Sequence, residues 1–280
     1  MPVVEDLQVG VMFWAGPDPH QTLRDQKALG VRAGQLGIEG DYPLDGAAEK
    51  WKRAVADEQF TVVTVFAAYT GESYADMPTV QRTVGFIPPA TRQERERRTY
   101  EISDFARGIG VGSIALHVGF VPHDPKNDDY IAVRNLVRRI ADHAAENGQT
   151  FALETGQEPA DVLDKFIRDV DRPNLKINFD PANMIMYGTG DPIQALDVLS
   201  RNIVSVHCKD GEWPDKSVPN ALGVEKPLGQ GAVGMDKFIA KLKQFGYKGI
   251  LGIEREILDK EQKKRDMKMA VELLERLRKQ

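Results

Sequence analysis

Four ionisable side chains close runs of the apolar residues that a chain normally buries: Glu154 in FALETGQEP, Asp180 in KINFDPANM, His207 in IVSVHCKDG and Glu254 in ILGIEREI. A buried charge costs several kcal/mol unless something pairs with it, so each run either hides a partner or ends in open space. Three carboxylates held close together would repel, and some would have to stay protonated. A divalent cation removes that conflict. Three oxygen-bearing side chains and one imidazole make a harder ligand set than a structural zinc site, so Mn²⁺ is the expected cofactor, with Mg²⁺, Co²⁺ or Zn²⁺ as alternatives. Such an ion on a carbonyl and a neighbouring hydroxyl stabilises a developing enediolate by several kcal/mol, which brings the adjacent C–H within reach of a carboxylate base. The chemistry on offer is proton transfer at carbon.

The elements that must position these groups alternate from end to end. Strand-like runs cover 7–15, 32–40, 61–69, 113–120, 150–155, 175–180, 203–210 and 249–256; helical patterns follow at 19–29, 46–58, 91–108, 130–147, 159–170, 191–200, 234–245 and 260–279. Eight β-then-α units with no linker rich in Pro, Gly or Ser predict an α/β fold, a (β/α)8 TIM barrel forming a single domain over residues 1–280. An open doubly wound sheet is disfavoured because no Gly-rich phosphate fingerprint follows the first strand, where the chain reads WAGPDPH. Gly30, Gly110, Gly148 and Gly246 sit just past helical runs, where a left-handed residue is wanted. In a parallel barrel all strand C-termini meet at one mouth, with neighbours about 4.8 Å apart. Any one of the four residues alone would read as a helix cap or a surface group. Together, at matching points of consecutive strands, they point to one centre. The long loops 70–90 and 211–233 fall on the same face and are expected to be lids or binding segments. The RQERERR run at 92–98 reads as a solvated helix face.

With 42 acidic and 37 basic residues the chain carries a net charge of −5, so no general attraction to nucleic acid or an anionic membrane is expected. Cys208 is the only cysteine, which excludes an intramolecular disulfide framework and fits a reducing, cytoplasmic setting. The N-terminal MPVVEDLQVGVMFWAG carries acids where a signal peptide carries Lys or Arg, and no apolar run approaches the roughly 20 residues that span a bilayer. Along IVSVHCKD, alternation turns His207 and Lys209 inward and Cys208 toward the helices.

Over nearly its whole length the chain resembles the xylose-isomerase-like TIM barrels of sugar isomerases and epimerases, among them the ketose 3-epimerases. The carriers are LETGQE, NFDPANM, VHCKDG, LGQGAVGMDKFI at 228–239 and GYKGILGIERE. The resemblance implies Glu154, Asp180, His207 and Glu254 as the metal shell, with Glu154 and Glu254 also acting as catalytic acid and base on a small carbohydrate. Proton return to the opposite face inverts a stereocentre, and return to the adjacent carbon isomerises. Expulsion of a β-leaving group would make a sugar or inosose dehydratase, the alternative reading. An abasic-site endonuclease shares the barrel but needs additional histidines for three zincs, and those places read VFAAY, Asn183 and the His-free stretch 211–233.

Candidates for substrate contact follow from position. Asn183 stands where the ketose 3-epimerases have a His, so hydroxyl contacts there should differ. His117 faces the mouth by alternation with Ile114 and Leu116. Lys209 either binds a hydroxyl, neutralises a carboxylate or pairs with Asp210. Gln157 and Glu158 follow Glu154 closely enough to meet sugar hydroxyls, although Glu158 also suits a helix N-terminus. Glu39 and Trp14 end the second and first strands, as a sugar ligand and a pocket wall or, more plainly, as helix and packing residues. Lys226 is the nearest candidate for a phosphate. A homodimer or tetramer is compatible with the resemblance, with Trp213 and the long loops available for contact.

Overall fold

The computed structural model describes residues 5–280, so the first four residues of the N-terminal stretch lie outside it. The strands are β1 (Val9–Trp14), β2 (Ala33–Ile38), β3 (Thr61–Ala67), β4 (Ser113–Leu116), β5 (Thr150–Glu154), β6 (Leu175–Phe179), β7 (Ile203–Cys208), β8 (Asp210–Glu212), β9 (Val224–Lys226) and β10 (Leu251–Ile253). Eight of them close a parallel barrel in the order β1-β10-β7-β6-β5-β4-β3-β2, while β8 and β9 form a separate antiparallel hairpin. The helices are α1 (Pro19–Lys27), α2 (Ala47–Asp57), α3 (Met77–Thr83), α4 (Arg92–Gly108), α5 (Asp128–Glu146), α6 (Ala160–Val170), α7 (Pro181–Tyr187), α8 (Pro192–Leu199), α9 (Met235–Gln244) and α10 (Lys260–Leu277).

Period-two alternation decides which face each strand residue takes. Val11, Phe13, Leu36, Ile38, Leu153 and Phe179 point out into the large core between barrel and helices. The inward positions are sparser: Met12, Phe66, Ala115 and Ala152 form a small apolar cluster. Beside it lies a buried polar layer of Gln35, Asn178 and Ser205. Gly37 also faces inward, where any Cβ would collide with the Trp14 ring. The four helix-ending glycines all adopt positive φ, between 70° and 91°.

Three expectations need correction. The chain forms α7 immediately after β6, so the expected helix at 191–200 is the second of two. The long loops are partly ordered elements: α3 lies in the first and the β8–β9 hairpin in the second. The RQERERR run is not a simple solvated face. Arg92, Arg95 and Arg98, three residues apart, share one side of α4 and donate to backbone carbonyls of the mouth loops, Arg95 to Thr70, Thr83 and Gly85 and Arg98 to Glu39 and Tyr42. Arg95 is only 3% exposed and lies 5.4 Å from the Tyr69 ring centroid.

Candidate active site

Glu154 ends β5, Asp180 follows β6, His207 lies near the end of β7 and Glu254 follows β10, whose pairing continues through the Glu254 N–H to the Cys208 carbonyl at 3.2 Å. The barrel mouth therefore gathers all four. His207 Nδ1 lies 2.6 Å from Glu154 Oε1, 3.1 Å from Glu254 Oε2 and 3.9 Å from Asp180 Oδ2. One donor atom from each of the four lies within 4.8 Å of the others.

Two features test whether this set fits a cation. Asp180 is the N-cap of α7: its Oδ1 accepts the N–H groups of Ala182 at 2.8 Å and Asn183 at 3.0 Å, as an Asx cap should. Its Oδ2, equally buried, has no hydrogen-bond partner among the described residues. One oxygen is thus fixed by the backbone while the other points into the cluster with its lone pairs uncommitted. The second feature is the imidazole. His207 Nε2 meets Gln35 Oε1 at 3.3 Å, while Gln35 Nε2 donates to Asn178 Oδ1 at 3.2 Å and to the Val206 carbonyl at 3.3 Å. A proton held at Nε2 toward Gln35 leaves the Nδ1 lone pair facing the three carboxylates, the arrangement of a metal-ligating histidine. The donor set fits a divalent cation.

The charges agree. Burial pushes the Asp180 carboxyl well above its usual range, with Lys209 and His207 lowering it and Glu154 and Glu254 beside it raising it further. Burial acts the same way on Glu254, but Lys209 and His207 hold it well below the ordinary value. Glu154 is lowered to about 2 against burial by His117 and His207. Burial opposes protonation of both imidazoles, yet neighbouring glutamates lift His207 well above its ordinary value and His117 to about 9. The proton on Nδ1 and a cation compete for the same direction.

Each glutamate has its own cation at its back. His117 Nε2 lies 2.7 Å from Glu154 Oε2, and Lys209 Nζ lies 3.2 Å from Glu254 Oε2 and 2.7 Å from Glu256 Oε2. Lys209 does not pair with Asp210. The Asp210 carboxylate is taken instead by the N–H groups of Gly211, Gly229, Gly231 and Val233, which tie the segment between β9 and α9 back to the start of β8.

Above the cluster opens a cavity of about 360 Å³, lined by Trp14, Glu39, His117, Asn183 and Lys209 among the residues expected there. Gln157 and Glu158 are not among its lining residues. The chain turns at Gly156, whose φ is +150°, and both side chains are buried. Glu158 Oε1 accepts the Val121 N–H at 2.7 Å, which joins the β4 and β5 loops, and burial raises its carboxyl to about 8 against that hydrogen bond. Gln157 Nε2 stands 3.4 Å from His117 Nδ1, a contact with the imidazole's far side. Both side chains lie behind the cavity wall and brace its loops, with Gln157 Oε1 and Glu158 Oε2 left without a hydrogen-bond partner among the described residues. Lys226 pairs with Glu212 at 3.3 Å.

Several wall residues had no sequence counterpart above: Glu72, Tyr74, Met186, Tyr187, Glu225 and Glu256. Glu256 was within reach of alternation, two residues beyond Glu254 as Lys209 is beyond His207. Tyr74 and Glu72 lie in a loop, and Met186 and Tyr187 on the short α7, where no period reports direction.

A closed parallel barrel whose C-terminal mouth gathers three carboxylates and an imidazole is the architecture of a barrel enzyme with its site on the loop face. The model of the family described as xylose isomerase-like TIM barrel matches residues 23–280, and the chain belongs to that family. A xylose isomerase domain protein from Planctomyces limnophilus is 42% identical, with a TM-score of 0.92 over 98% of each chain. An uncharacterized protein from Methanocaldococcus jannaschii is 25% identical over 206 residues, 67% of this chain and 68% of its own length. The 3-keto-D-glucoside 4-epimerase of E. coli shares the fold at 17% identity and a TM-score of 0.69, over 95% of this chain and 99% of its own.

Proposed function

We propose that this protein is a divalent-metal-dependent sugar epimerase or isomerase, with Glu154, Asp180, His207 and Glu254 holding the ion, Mn²⁺ in the first instance. The observation that carries the reading is the pairing of two glutamates around one imidazole. Glu154 and Glu254 reach His207 Nδ1 from strands separated by β6 and β7 in the barrel order, so they approach a molecule in the mouth from different sides. When bound, the ion neutralises the clustered carboxylates and polarises a carbonyl oxygen of the sugar.

The remaining work falls to the chain. One glutamate takes the proton from the carbon beside the carbonyl and the other returns one to the opposite face. His117 and Lys209 keep both carboxylates ionised and aimed, and each is positioned to stabilise its glutamate as the proton moves. Asn183 and Trp14 wall the space in which the ring sits, while Gln35 and Asn178 brace His207 and Glu154 from below. The wall carboxylates Glu39, Glu72, Glu225 and Glu256 make the mouth unfavourable for phosphate, which supports a neutral carbohydrate over nucleic acid as the partner. The name of the E. coli epimerase supports the same chemistry.

The test is solvent deuterium exchange into a panel of ketoses, aldoses and inososes with Mn²⁺ added. Label at a single carbon adjacent to the carbonyl is expected, and Glu154→Gln and Glu254→Gln should each abolish turnover. Label with loss of water would assign a lyase instead. Absence of exchange from every sugar in the Mn²⁺-loaded protein would refute the reading.

A further inference from the structure

The cavity over the metal cluster does not end at Glu39. A second cleft of about 550 Å³ opens on the other side of that residue, between the loop after β1 and the loop after β2. Glu39 lines both spaces, and the neighbouring residues Trp14 and Ala15 line the first and the second respectively. Each volume falls within the range of about 300–1,000 Å³ that small-molecule sites occupy.

The cleft is a built surface. Tyr42 forms part of it, and its hydroxyl accepts the Trp51 Nε1–H at 2.9 Å and donates to the Gly16 carbonyl at 3.4 Å, while Arg98 donates to its backbone carbonyl. The ring is thus held at its hydroxyl by two hydrogen bonds and its backbone by a third, in a wall that also carries Pro17 and Pro43. Opposite charges are unevenly supplied: Glu39, Asp41 and Asp45 against Lys50. An aromatic and proline surface beside hydrogen-bond-accepting carboxylates suits the apolar face and hydroxyl edge of a sugar ring, and it repels an anionic group.

We propose that this cleft is a second subsite, which binds an uncharged glycosyl unit joined to the sugar that reacts in the mouth, with Glu39 accepting hydroxyls from both rings. The proposal rests on the epimerase or isomerase reading and narrows its substrate from monosaccharides to glycosides.

A matched set of probes tests it: D-fructose, the same ketose carrying an O-glucosyl group at position 4 or position 6, and fructose 6-phosphate. With Mn²⁺-loaded full-length protein, the expected result is that at least one glucosyl-fructose exchanges solvent deuterium with a kcat/KM at least 10-fold above free fructose, and that the phosphate gives no gain. Asp45 is exposed and makes no cap for α2, so Asp45→Trp can fill the cleft without touching the core. It should bring the glucosyl-to-free ratio down to about one, through KM. A ratio near one in the unaltered protein, or a ratio that Asp45→Trp leaves unchanged, overturns the subsite. If no sugar exchanges at all, the reaction class falls, and the subsite is then read by binding alone. Calorimetric Kd values should still favour the glucosyl-fructose at least 10-fold and lose that preference in Asp45→Trp, and equal Kd values would overturn it.

Discussion

Asp180 is divided between two tasks, and two substitutions separate them. Its Oδ1 caps α7 through two backbone N–H groups, while its Oδ2, without a hydrogen-bond partner among the described residues, points into the cluster. Asp180→Asn keeps an amide oxygen for the cap and removes the charge; Asp180→Ala removes both. Loss of an Asx cap costs about 1 kcal/mol, which in a chain of this size lowers the melting temperature by about 2–4 °C. In metal-free protein the buried carboxyl, pushed well above its usual range by burial, gains nothing from being ionisable, so Asp180→Asn should melt at or above the unaltered protein. Asp180→Ala should melt lower. With Mn²⁺ at about 100 times Kd the unaltered protein gains about 2.7 kcal/mol, a rise on the order of 5–10 °C. Both variants should lose most of that rise, with Kd weakened about 100-fold or more, equivalent to about 2.8 kcal/mol. Scanning calorimetry with and without chelator, beside Mn²⁺ titration followed by electron paramagnetic resonance, reads all of these quantities. Tight Mn²⁺ binding by Asp180→Asn, or equal metal-free destabilisation by the two variants, would refute the division of labour.

Three further perturbations follow from the geometry. Gln35→Leu removes the acceptor facing His207 Nε2 and should weaken Mn²⁺ about 10- to 100-fold, measured by the same titration, while an unchanged Kd would show that the imidazole orients itself. Glu158 holds its proton in the fold up to about 8 but loses it near 4.5 when unfolded, so its stabilising contribution is whole below about 4.5 and is lost as pH rises toward 8, with a limiting slope of about 1.4 kcal/mol per pH unit. Glu158→Gln should flatten the fall of unfolding free energy across that window in urea titrations, and a parallel pH profile would count against the raised carboxyl. Arg95→Met leaves three carbonyls and the buried Glu72, 3.9 Å away, without their cation, and should cost about 3 kcal/mol or more. The readout is early proteolytic cutting between residues 70 and 85, and resistance equal to the unaltered protein would exclude a stapling role.

The barrel and the four-residue cluster were legible because both are written in periods. Strand alternation put His207 inside and Cys208 outside, and the same step of two extends to Lys209 and, unread, to Glu256. What escaped lacks a period. PANMIMY is a seven-residue helix buried on nearly every side, so it shows no polar face, and Asp180 before Pro181 was read as a ligand when it is also a cap. Gln157 and Glu158 lie off the cavity wall because the turn at Gly156 redirects them, and nothing in the order of residues reports that turn. The arginines of α4 were judged by composition; their spacing of three, which aligns them on one helix side, was the informative property.

Both long segments over the mouth are fastened by a buried charge. Asp210 gathers four amide hydrogens from one, and Arg95 holds three carbonyls of the other. Neither can swing without leaving a charged group stranded, so the entrance behaves as a mould cast in advance. Discrimination among sugars should then depend on which outlines fit a fixed contour, and little ordering of the chain should accompany capture.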